Sequence, residues 1–289
     1  MTLAPILERE EYVEQAYCFR VFRERLVEGL ASQEVLTQLH AEVLSTTRLP
    51  YAIQFLATEL KHTGLLSPGF ERLSHYFTPY QAFVVRQTER EKMRFSLETA
   101  LQILEGEARY RSQKPSRTGL FVFQFEAISR NRLGYDEGVT AMASDGLYDQ
   151  PWRDFMERMR RSLGDFDFGD LVYFASELYI QDQRRLNPQQ AFPEPLFGEK
   201  EGKIAKAARG HDPLFLFAAL QRHLGYPAVP RPVAKDDPMK KLLTIQAHLR
   251  ELEQRLKLLE TEARGKTDLS QFVVRPEMLD KLQDDDPVQ

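Results

Sequence analysis

The chain has 289 residues, 42% hydrophobic and 28% charged, with a formal net charge of −4. That balance is globular rather than disordered, and it argues against both a strongly basic nucleic-acid binder and an acidic tail protein. One cysteine, Cys18, excludes an internal disulfide, and the longest apolar run, Leu214 to Leu220, falls far short of the roughly 20 residues of a spanning helix. The first residues show no basic region ahead of an apolar one, so no signal peptide is read there, and a soluble, cytoplasmic protein without a membrane span is expected.

Taken in chain order, the apolar residues recur at helical spacing. Tyr12, Ala16, Phe19, Val21, Phe22, Leu26 and Leu30 form a first stripe. Val35, Leu36, Leu39, Val43 and Leu44 follow from a Ser32 cap, and then come Ile53, Leu56, Ala57 and Leu60. Ser67-Pro68 and Thr78-Pro79 each place a side-chain acceptor before a proline, the grammar of a helix start, and Gln81 completes a capping box with Thr78. From Pro79 to about Arg111 the pattern predicts the longest helix of the main body, bearing Phe83, Val84, Phe95, Leu97, Leu101, Ile103 and Leu104.

Leu120-Phe121-Val122-Phe123-Gln124-Phe125 is rich in β-formers, but no second strand is available to pair with it. It is therefore read as the start of a buried helix with aromatic faces. Asp149 near Pro151, Asp167 with Asp170, and Asp212-Pro213 mark later starts. Short helices are expected near Gly198–Arg209 and Pro213–Leu224, the second docked on the body because Leu214 to Phe217 is too apolar to stay free. The fold class is all-α, a multi-helix body of about nine to eleven helices with a C-terminal coiled-coil helix. No fixed repeat period emerges.

Eight of the 16 prolines fall between Pro188 and Pro238. Tyr226 to Val233 reads as an extended, semi-rigid linker in polyproline geometry. Beyond it Leu242, Ile245, Leu249, Leu252, Leu256, Leu259 and Ala263 alternate in steps of three and four, a heptad seam flanked by charged positions. Asp237-Pro238 can open that helix and Gly265 can end it. The expected organisation is a helical body over 1–225, a linker over 226–238, a coiled-coil helix over 239–264 and a loosely ordered tail over 265–289.

Chemical constellations are few. Glu59-Leu60-Lys61-His62 puts a carboxylate and an imidazole on one helix face, as carboxylate-bridged metal sites in helical bundles require. Only six histidines are present and no second Glu-x-x-His follows, although Glu89, Glu98, Glu105, Glu126 and Glu177 offer further carboxylates. Arg109, Arg111, Lys114 and Arg117 with Tyr110, and separately Arg158, Arg160 and Arg161, are basic runs able to meet phosphate; both also stand where a helix C-terminus attracts cations. Gly265-Lys266-Thr267 lacks the upstream glycine and strand of a P-loop. Cys18 beside Phe19 reads as a buried thiol, and the glycine-bracketed turn Asn131 to Gly138 as a helix–helix connection ahead of Trp152, a core anchor. None of these motifs implies a cofactor.

These features favour a non-enzymatic helical scaffold or adaptor that binds other proteins and forms homo-oligomers through the heptad helix. The alternatives are a metal-dependent helical-bundle oxidase using Glu59 and His62, and a nucleic-acid-binding helical protein, the less favoured partner class at this charge.

Overall fold

The computed structural model describes residues 6–90, 95–187, 189 and 191–231, and among them it contains thirteen α-helices and no strand. These are α1 (Arg9–Val27), α2 (Ser32–Glu42), α3 (Leu49–Thr63), α4 (Ser67–Arg72), α5 (Pro79–Thr88), α6 (Leu97–Ser112) and α7 (Arg117–Asn131). They continue with α8 (Tyr135–Ala143), α9 (Gln150–Ser162), α10 (Phe168–Phe174), α11 (Glu177–Leu186), α12 (Glu199–Ala207) and α13 (Pro213–Leu224). The described residues belong to one unit, Met1–Pro232; a second unit, Val233–Gln289, lies outside them and with it the heptad seam.

The all-α expectation holds, but the helix count exceeds the expected nine to eleven. Short elements such as α4, with six residues, escaped a periodicity reading. The helix expected from Pro79 to about Arg111 is two helices: α5 ends at Thr88, and Ser96 caps α6 by accepting from the Thr99 N–H at 3.2 Å. Arg and Glu at helical spacing carry the pattern across the break without requiring one helix.

Capping explains most starts. Thr78 and Gln81 form the capping box of α5, with Thr78 N–H donating to Gln81 Oε1 at 3.0 Å and Gln81 N–H to Thr78 Oγ1 at 3.2 Å. Asp149 and Asp212 accept from Trp152 N–H and Leu214 N–H. Two expected caps work otherwise. Ser67 is the first residue of α4 rather than its cap, and its amide donates to Glu89 from the end of α5. Asp167 precedes α10 without a side-chain capping bond.

The body is organised around α7. Every residue from Gly119 to Ile128 is buried, so this stretch has no solvent face, and its two polar side chains, Gln124 and Glu126, find partners inside the body. The β-like run Leu120 to Phe125 is thus helical, its phenylalanines turned into different parts of the core. Phe121 packs against Trp152, Phe155, Phe197 and Phe168 with ring centroids 5.2, 5.6, 6.0 and 6.2 Å away. Around α7 stand α6, α8 and α13; α1 lies along α6, and α2 against α3. Of the helices after α9, α12 packs on α10 and α13 reaches α7 through buried Leu216, Phe217 and Leu220, while Leu214 and Phe215 stay exposed.

Residues 226–231, expected to open the linker, lie against the body. Tyr226 is buried, its hydroxyl donating to Glu126 Oε2 at 2.6 Å with the Phe217 carbonyl oxygen 3.0 Å away, and Pro230 O accepts from Asn131 Nδ2 at 3.3 Å. A tyrosine at the head of a proline-rich run supplies both an apolar ring and a donor, enough to hold it down.

Candidate interaction groove

An open groove of about 520 Å³ runs between α9, the α10–α11 corner and the extended segment 192–196. Phe155 and Met159 form its buried floor, one face of the amphipathic α9. Leu171, Phe174, Tyr179 and Ile180 line one wall, and Phe192 to Leu196 the other. Phe166 and Phe174 stand 49% and 41% exposed in an edge-to-face pair with centroids 5.9 Å apart, and Tyr179 meets Phe174 edge-on at 5.4 Å. Charge enters through Asp154, Arg158 and Glu194.

The second wall is stitched to the first by backbone. Leu196 N–H and Phe197 N–H both donate to the Ala175 carbonyl, at 3.0 and 3.2 Å, and Glu177 N–H donates to the Phe197 carbonyl at 2.9 Å. Phe197, 1% exposed, is the anchor. Beside the wall residues Phe174 and Tyr179, Tyr173 is clamped: its hydroxyl donates to Asp182 Oδ2 at 2.8 Å, and the Arg209 guanidinium lies 4.4 Å from its ring centre while pairing with Asp170 at 2.6 Å. Burial and the Asp182 carboxylate push the Tyr173 hydroxyl above its ordinary value. The groove is therefore a preformed feature with both walls braced.

The residues singled out in the sequence take other positions. Glu59 is buried and pairs with Arg72 of α4 at 2.6 Å, whereas His62 is exposed on the side of α3 facing α2, beside His40. Among the described residues no group of three or more His, Cys, Asp or Glu side chains is placed to hold a metal ion. The basic runs are largely tied to carboxylates. Arg109 pairs with Glu105, Arg117 with Asp149 at 2.6 Å, Arg160 with Asp136 and Glu157 at 2.9 Å each, and Arg161 with Glu157 at 2.8 Å. Arg111, read as part of a basic run able to meet phosphate, is interior, held between Glu107 and Asp145. Burial pushes the Cys18 thiol up to about 12, with Glu14 acting in the same direction.

In the 131–138 turn, Arg132 and Gly134 take φ of +53° and +93° to reverse the chain, and Trp152 is a core residue. The seam residues Leu242 to Ala263 lie outside the described residues. Sequence reasoning missed the groove because it joins three separated segments; the one local signal was the amphipathic α9 followed by Phe166 and Phe174. Among the described residues no helix is long and apolar enough to cross a membrane. No family model, curated protein or solved structure matches this chain.

Proposed function

We propose that this protein is a non-enzymatic helical adaptor whose body takes an apolar segment of another protein into the α9–α11 groove and which self-associates through its heptad seam. The observation that carries the reading is the groove: aromatic walls, an apolar floor, and few charges. Its size falls within the range of binding clefts. The chemistry of the 192–196 wall narrows the mode. Pro193 and Pro195 carry no amide hydrogen, so that wall offers a poor edge for strand addition. We infer side-chain insertion from an amphipathic helix, with Phe166 and Phe174 as the rings it covers, because the groove is lined mainly by apolar and aromatic side chains. The seam from Leu242 to Ala263 supports self-association, since leucine at nearly every core position favours a partner helix.

Two measurements on the full chain test this. Phe166→Asp with Phe174→Asp puts charge on exposed positions, so folding should survive while affinity-captured partners drop out of the mass spectrum; an unchanged partner set overturns the groove. Leu249→Asp with Leu256→Asp should convert oligomers to monomers in light scattering. A wild-type chain that stays monomeric at high concentration removes the self-association half of the reading.

A further inference from the structure

The interior holds a charge cluster that the groove does not use. Glu107 and Arg111 stand one turn apart on α6, Asp145 follows α8, and their side chains are 0%, 3% and 2% exposed. Arg111 Nη2 and Nε donate to Glu107 Oε1 at 2.9 and 3.2 Å, and Nη2 also donates to Asp145 Oδ2. Gln124 of α7 donates to the same Glu107 oxygen at 2.7 Å, and Leu147 N–H donates to Asp145 Oδ1 at 2.9 Å. Glu107 Oε2 is enclosed and receives no hydrogen bond from the described residues.

One guanidinium thus faces two carboxylates. The other ionisable groups turned to the cluster are phenols, Tyr12 from α1, Tyr80 from α5 and Tyr148 beyond α8, each with its ionisation pushed up by burial. They add no positive charge. A buried anionic oxygen with no donor is among the least favourable groups a core can hold, and protonation removes its charge.

We infer that Glu107 is an interior proton-binding site, with the proton on Oε2, and that its loss loosens the joint between α6, α7 and the turn after α8. Burial raises this carboxyl above its ordinary 4.5, against the lowering pull of Arg111. Since the unfolded chain releases the proton first, unfolding releases one proton between the ordinary and the raised value. Stability from this site is complete below the ordinary value and is lost as pH rises through the raised one. The unfolding constant should climb by up to about tenfold per pH unit in that window.

Infrared titration of the full chain, with denaturant unfolding across pH, tests this. Wild type should keep one protonated carboxyl absorption above the pH at which exposed glutamates ionise, and Glu107→Gln should abolish it. Relative to that variant, wild type should lose up to about tenfold in folding equilibrium per pH unit. If Glu107→Gln does not fold, Asp145→Asn carries the test: Arg111 then serves Glu107 alone, so the absorption should disappear at lower pH. The inference is overturned by a wild type lacking the late-titrating carboxyl, by its survival in Glu107→Gln, or by an unmoved titration in Asp145→Asn.

Discussion

At the scale of single residues, polar groups inside the helical body decide more than their number suggests. Arg111 is the clearest. Replacing it with methionine keeps the stem and removes the charge, leaving Glu107 and Asp145 buried without their cation. We expect a loss of about 3–5 kcal/mol, read by urea denaturation. Tyr226→Phe is a gentler case: the ring stays, but Glu126 loses the hydroxyl that bonds it at 2.6 Å. Arg130 still reaches Glu126, so about 1–3 kcal/mol is expected, with faster amide exchange around Phe217 as the local sign. Neither role is visible in composition. Arg111 sits between Arg109 and Lys114 and shares their type, yet lies on the other side of α6; Glu107, four residues earlier, was the available cue.

At the scale of elements, caps and close approaches set where helices begin and meet. The Thr78 capping box starts α5, most of which is buried in the core, and Thr78→Ala should cost about 1 kcal/mol in thermal or denaturant unfolding. At Gly202 the constraint is space rather than backbone angle: a Cβ built there lies 2.8 Å from the Ser176 Cβ and 2.9 Å from the Leu178 Cβ. Gly202→Val should therefore push α12 off the α10–α11 corner, seen as loss of native chemical shifts in both. Caps were readable because they are local, which is why α5, α9 and α13 begin where Thr78, Asp149 and Asp212 stand. At α4 the start was readable from Ser67-Pro68 but its capping was not, since its amides are served by Glu89, 22 residues after Ser67. Likewise the run from Leu120 to Phe125 was resolved by the absence of a pairing strand, not by its own propensity.

At the scale of the whole described body, one aromatic cluster joins the core to the groove. Phe121 touches Trp152, Phe155, Phe168 and Phe197, and Phe121→Ala should cost about 3–5 kcal/mol because several rings lose a common neighbour. All-α class followed from sequence patterning; the groove did not, because Phe155, Phe174 and Phe192 converge only through packing. Trp152, the sole tryptophan, gives this arrangement an optical consequence. Its indole lies 6.0 Å from the Phe155 ring, part of the groove floor, and 5.8 Å from Tyr148 on the opposite, interior side. Its emission is a single-site signal, uncontaminated by any other indole, from the boundary between the core and the groove. A peptide seated over Phe155 should shift or quench it without any label, while one bound elsewhere on the surface should leave it untouched.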